Sequence, residues 1–147
     1  MQTWIKLISA GLALTLAACS GGSPPVEPGL TGGQLPPCPT SPNCVSSQAE
    51  AVEQQVEPLR YQGAAAARAK LLTVLNGMAR VKIVQSDPDR ITAEFRSALF
   101  GFVDDVVFQF GSSGAIQVRS ASRSGYYDFG VNRERVEAIR ARFSAAP

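Results

Sequence analysis

The sequence predicts an α+β domain: an antiparallel four-stranded meander with one helix before it and one after it, packed on one face. Three observations predict it. The apolar period is helical over residues 64–76, becomes two over residues 81–119, and is helical again over residues 133–143. Most of the period-two segments have one apolar and one polar face, as an antiparallel sheet covered on one side requires. Turn-forming residues separate the segments.

The elements follow in order. Ala, Leu, Arg and Lys dominate residues 64–76, all good helix formers. Leu71, Val74, Leu75 and Met78 fall on one face, and Gly77 is a natural stop. Val81 and Ile83 mark a first strand, ended by Asp87-Pro88-Asp89. Ile91, Ala93 and Phe95 alternate with Thr92, Glu94 and Arg96 in a second. Val106, Phe108 and Phe110 alternate with Asp105, Val107 and Gln109 in a third, which turns at Gly111-Ser112-Ser113-Gly114. Ile116 and Val118 alternate with Gln117 and Arg119 in a fourth. The closing helix has Asn132 as a good N-cap and a narrow stripe of Val136, Ile139 and Phe143. Residues 45–58 are polar with scattered Val and read as a loop or a short helix.

Ahead of this body, a single Lys6 precedes an apolar run over residues 7–18, too short for a bilayer core that needs roughly 20 residues. Charged start, short apolar stretch and small residues read as a secretory signal over residues 1–18. Leu16-Ala17-Ala18-Cys19 resembles the bacterial lipobox, which implies cleavage before Cys19, acylation of its thiol and attachment to the lipid bilayer. The alternative is an ordinary signal peptide with an incidental cysteine. Several acyl chains are needed for stable anchoring. Ser20 follows the cysteine where an Asp would favour retention, so by resemblance to the enterobacterial sorting rule the expected location is the outer membrane, with the domain facing the periplasm. Residues 20–37 hold five Pro, five Gly and one charge, Glu27, and read as a tether with too little apolar surface to offset its ordering entropy. A single periplasmic domain over residues 38–147 follows.

Composition excludes a good deal. The chain has no histidine, which removes Ser-His-Asp and Cys-His nucleophiles, histidine bases and histidine metal sites. The net charge of +2 leaves no nucleic-acid footprint, and nucleic acid is not an expected partner. No phosphate loop, nucleotide fingerprint or metal-spaced cluster is present, so neither cofactor nor metal is expected. Lys70 and Lys82 lie in no serine–lysine motif. With Cys19 assigned to lipid, Cys38 and Cys44 remain, separated by turn formers and destined for an oxidising compartment. We expect a disulfide closing a small loop; a metal or redox pair is the other reading, and the spacing does not match Cys-x-x-Cys.

Three ordered stretches together resemble one known family: Cys38-Pro39-Thr40-Ser41-Pro42-Asn43-Cys44-Val45-Ser46-Ser47, then Phe100-Gly101-Phe102-Val103-Asp104-Asp105, then the run from Arg119-Ser120-Ala121-Ser122-Arg123 through Gly125-Tyr126-Tyr127-Asp128-Phe129-Gly130-Val131-Asn132-Arg133. They resemble the domain-of-unknown-function family numbered 1499, found in bacterial envelope proteins and some plastid proteins. The resemblance covers roughly residues 38–142 and implies no activity.

Candidate functional residues come from those stretches. Asp104 and Asp105 are adjacent in a strand and point to opposite faces, so they share no ligand unless a bulge intervenes. Asp105 is expected exposed, and Asp104 bonded to backbone or to an arginine. Arg119 and Arg123 share the polar face, either converging on one anion or pairing with Glu94 or Asp105, while Ser120 and Ser122 turn to the core side and need partners. The Gly-bounded aromatic loop leads to a helix start where Asn132 and Arg133 can meet an anion, unless Asp128 takes that place. From Arg119 on, six Arg against three acids give a local +3.

The expected function is a membrane-anchored envelope lipoprotein that binds an anionic ligand or an envelope protein, with no catalytic residue. The expected surface is the polar sheet face with Arg119, Ser122, Arg123, Asp128, Asn132 and Arg133. The rival is a hydrolase or transferase using Asp104, Asp105 or Asp128 on an anionic substrate.

Overall fold

A computed structural model describes residues 33–146. It is an α+β body with two helices and a six-stranded antiparallel sheet. The strands are β1 (Cys44–Ser46), β2 (Leu59–Arg60), β3 (Val81–Ser86), β4 (Arg90–Arg96), β5 (Val103–Phe110) and β6 (Ala115–Ser122); the helices are α1 (Ala64–Asn76) and α2 (Val131–Ala145). The spatial order is β1-β6-β5-β4-β3, with β2 also on β6.

Alternation assigns the faces. Phe95 on β4, Asp104 on β5 and Ser122 on β6 stand in one register row, and two residues along each strand lie Ala93, Val106 and Ser120. This face carries the core: Ile91, Ala93, Phe95, Val106, Phe108, Ile116 and Val118 pack against Leu71 and Leu75 of α1 and Val136, Ile139 and Phe143 of α2. Burying such side chains is worth roughly 1.5–3 kcal/mol each before entropy is counted. The helices touch each other as well, with the Lys70 ammonium 5.3 Å from the centroid of the Phe143 ring. The other face bears Glu94, Asp105 and Ala121 in one row and Thr92, Val107 and Arg119 in the next.

Strands β1 and β2 are the part the sequence reading lacked. Residues 45–58, read as loop or short helix, contain the last two residues of β1 and a 3-10 turn at Val52–Gln54. Strands of three and two residues are too short to show a period. They lie one after the other along the free edge of β6, Cys44 opposite Ala121 and Leu59 opposite Ile116. The chain bows out between them, and Ser47 bridges the gap: its amide donates to the Val118 carbonyl, and its Oγ accepts from the Val118 amide at 2.9 Å. The edge is thereby covered.

The closing helix also starts earlier than expected, at Val131. Asn132 is not its cap but a fully buried residue of its first turn. Gly130, at φ 82°, supplies the left-handed residue that turns the chain into the helix. Cys19, residues 1–18 and residues 20–32 of the tether lie outside the described residues. The described end of that tether lies against the body: Leu35 is buried, its amide donating to Gln48 Oε1 at 2.7 Å.

Candidate functional site

All the chemistry-bearing motifs gather at one end of the sheet. The antiparallel pairing puts the end of β4, the start of β5 and the end of β6 side by side, and the Arg123 amide donates to the Val103 carbonyl at 3.0 Å. The first turn of α2 and the Cys38–Cys44 loop arrive at the same end, where Asn43 Nδ2 donates to the Gly125 carbonyl at 2.5 Å.

On the core face a polar network joins α2 to the sheet. Arg135 donates from Nη2 to Asp104 Oδ2 at 2.5 Å, and both side chains are nearly excluded from solvent. Its Nη1 reaches Asn132 Oδ1 at 2.6 Å and Ser120 Oγ at 3.1 Å. Asn132 Oδ1 also accepts from Ser120 Oγ at 2.6 Å. Its Nδ2 faces the Asn43 carbonyl, Ser122 Oγ and Asp128 Oδ2 at 2.8–3.1 Å. Asp128 takes the helix amides that the sequence offered to an anion: Oδ1 accepts from Gly130 and Oδ2 from Asn132, both at 3.0 Å. The Arg135 guanidinium sits 4.9 Å from the centroid of the Phe95 ring. Every polar group of this network meets another, as burial demands.

On the opposite face Arg123 grips Asp105 with two nitrogens, each at 2.7 Å, and Glu94 Oε1 at 2.5 Å. The Arg123 hydrogen bond holds the Glu94 carboxyl below its ordinary range, against a smaller upward push from burial; the charges of Arg123, Lys82 and Arg96 add to the lowering. Arg123 is held still more firmly protonated, first by its hydrogen bonds to Asp105 and also by Glu94. Arg119 belongs to the same face as expected, but its Nη2 donates to the Pro37 carbonyl at 3.4 Å rather than joining Arg123 on a common anion. Arg133 turns elsewhere, to the carbonyls of Gln55 and Glu53 at 2.7 Å each.

The residues singled out in the sequence are thus near one another yet divided. Asp104, Ser122, Asp128 and Asn132 belong to the core-side network, Asp105 and Arg123 to the open face, and Arg119 and Arg133 hold backbone carbonyls. The three aspartates do not converge on one cleft. Arg135 is the site residue that the sequence reading did not single out. The available signal was its spacing of three from Asn132, which sets both beside the Val136 stripe.

The third feature is a cleft of about 1190 Å³ between the Cys38–Cys44 loop, residues 48–54 and the aromatic loop. Cys38 and Cys44 stand at disulfide distance, Cα atoms 5.7 Å apart. Gln54 Nε2 braces the loop through the carbonyls of Pro39 and Ser41 at 2.8 and 3.2 Å. Tyr126, Tyr127 and Asp128 line its other side, together with Arg133. Among the described residues no group of three or more metal-ligating side chains is present, and no helix is long and apolar enough to cross a membrane.

No curated protein matches the chain. A family model described as a protein of unknown function (DUF1499) matches residues 34–143, from the buried Leu35 side of the cleft to the Phe143 end of α2, and the chain belongs to that family.

Proposed function

We propose that this protein is a cell-envelope lipoprotein, anchored in the outer membrane through acylated Cys19, whose periplasmic domain is a binding module without catalytic residues. The observation that supports it is the pairing of the carboxylates singled out as candidates, Asp104, Asp105 and Asp128, together with Glu94. A general acid or base needs a carboxylate free to meet substrate. Asp104 is bound by Arg135, Asp105 and Glu94 by Arg123, and Asp128 by the amides of Gly130 and Asn132. The cleft offers an accessible wall in Tyr126 and Tyr127, 74% and 57% exposed, lined as well by prolines and the disulfide. Flat aromatic faces beside a rigid loop favour a ligand or an envelope partner presenting rings or C–H faces. The hydrolase or transferase reading has no such support.

The test is mass-spectrometric identification of whatever co-purifies with the full chain extracted from membranes. Replacing Tyr126 and Tyr127 by Ala should remove it while the circular dichroism spectrum stays unchanged. Retention of the same ligand or partner by that variant would count against the cleft. The anchor has its own test, the mass of the mature amino-terminal peptide: a free thiol at Cys19 would sink it.

A further inference from the structure

Two loops leave the sheet side by side at the site end, and both expose large apolar side chains. Residues 97–102 join β4 to β5, closed at the base by the Ser97 amide donating to the Phe102 carbonyl at 2.9 Å. Their tip carries Leu99, Phe100 and Phe102, exposed to 87%, 76% and 55%. Residues 123–130 join β6 to α2 and carry Phe129, 83% exposed, and Tyr127, whose ring centroid lies 5.1 Å from that of Phe129. Val131 adds to the same margin. Phe129 sits at φ 57°, a left-handed conformation that costs a phenylalanine energy and turns it outward beside Gly130. A lone exposed apolar residue needs no explanation; a cluster on two neighbouring loops does.

We infer that this end of the domain docks on an anionic lipid surface, with Leu99, Phe100, Phe102 and Phe129 entering the headgroup boundary. The shape favours lipid over a protein groove: the apolar groups are on projecting loops, little covered by their own domain. The charge fits as well. Arg80 and Arg96 stand behind the first loop, both exposed, with Arg80 Nε donating to the Arg96 carbonyl at 3.3 Å. Guanidinium groups behind an aromatic margin are suited to phosphate headgroups. The acids on the neighbouring face, Glu94 and Asp105, are held by Arg123, and the exposed Arg96 guanidinium stands 3.8 Å from Glu94 as a longer second contact. The length of chain agrees too. Cys19 precedes Gly33 by fourteen residues (33 − 19), at most about 50 Å of extended chain, so an acylated Cys19 would hold Gly33 within about that distance of a lipid surface. The inference rests on the proposed anchor only for that proximity.

The test uses the full acylated chain in vesicles of phosphatidylglycerol and phosphatidylcholine with brominated acyl chains. Trp4, the sole tryptophan, is replaced by Phe throughout, and a single indole is introduced as Phe100→Trp, Phe129→Trp or, at the far turn, Ser112→Trp. The expected result is a blue shift and strong quenching for the first two and neither for the third. Replacing phosphatidylglycerol by phosphatidylcholine should weaken the quenching, as should Arg80→Gln with Arg96→Gln. Unquenched indoles at positions 100 and 129 in a chain whose Cys19 carries lipid would overturn the docking and leave the anchor standing. Quenching equal at all three positions would overturn it too. A concentration-dependent blue shift without vesicles would replace the lipid by a second copy of the chain. Quenched tips with an unmodified Cys19 would uphold the docking and remove the anchor.

Discussion

Asp104 and Asp105 are consecutive in β5, yet they tie together different parts of the molecule. Asp104 receives Arg135 of α2 on the core face, and Asp105 receives Arg123 from beyond β6 on the open face. One peptide step therefore links the helix layer to the cross-strand charges, because successive strand residues point to opposite sides. The two pairs differ in burial. The Asp104 and Arg135 side chains are 8% and 10% exposed; those of Asp105 and Arg123 are 31% and 21%.

That difference sets the first prediction. Asp104→Ala leaves the Arg135 charge buried without its carboxylate, and removal of one partner of a buried pair typically costs about 3–5 kcal/mol. Asp105→Ala leaves Arg123 with Glu94 and water, and should cost about 1 kcal/mol or less. Urea unfolding of the two variants measures both. Equal losses would mean that the core-face pair is not desolvated as described. Asp104→Leu combined with Arg135→Met should recover much of the first loss, since an apolar pair of similar volume replaces a buried ion pair well.

The second prediction concerns Asn132. Its amide joins Ser120, Ser122, Asn43, Asp128 and Arg135. Asn132→Ala strips partners from several buried groups, each worth about 1–3 kcal/mol when orphaned. A total loss of about 3 kcal/mol is expected, with faster hydrogen exchange at the Gly130 and Val131 amides as the loop into α2 loosens. A Leu substitution fills the space but satisfies none of the polar atoms, and should not rescue stability. Rescue by Leu would show that Asn132 acts by volume alone.

How far the sequence reached is clear from particular residues. Helix α1 is legible to its bounds because Gly77 and a full apolar face mark it. The alternation of β4 correctly gave Ile91, Ala93 and Phe95 as core. β1 and β2 were not legible, since pairing with β6 rather than a periodic pattern makes them strands. Ser120 and Ser122 were read as core-facing groups in need of partners, and those partners proved to be Asn132 and Arg135. Choosing between the many arginines needed the three-dimensional register: Glu94 and Asp105 stand opposite one another, and only that places both under Arg123.

The third prediction is for the Cys38–Cys44 bridge. A loop this short restricts the unfolded chain modestly, by about 2 kcal/mol on the chain-entropy account. Reduction, or Cys38→Ser with Cys44→Ser, should lower the denaturant midpoint by about that amount, with a further cost for the hydroxyl placed at buried Cys44, without unfolding the domain, whose main apolar cluster is built by the sheet face and the two helices. The larger consequence should fall on the cleft. The loop forms one wall, braced by Gln54, so retention of a cleft ligand should drop in the double Ser variant more than the stability change explains. Unchanged retention would separate the bridge from binding.

The fourth prediction is a pH dependence carried by Glu94. Its carboxyl is held below the ordinary value of 4.5 in the folded state, first by the Arg123 hydrogen bond. A carboxyl with a depressed folded pKa binds its proton less readily when folded, so the unfolded chain takes up more protons in this window. Its stabilising contribution is therefore complete above about 4.5 and is lost as pH falls through the lower folded value. Arg123→Gln removes the leading cause of the depression, leaving the weaker charges of Lys82 and Arg96 and returning the opposing effect of burial to prominence. Stability measured from pH 7 to pH 3 should fall less steeply below 4.5 in that variant than in the wild type, with the two curves converging in acid, where protonated Glu94 no longer distinguishes them. Glu94→Gln in the wild-type background isolates the Glu94 share. If Glu94→Gln leaves the acid limb as steep as before, the contact between Glu94 and Arg123 does not set the folded-state proton affinity.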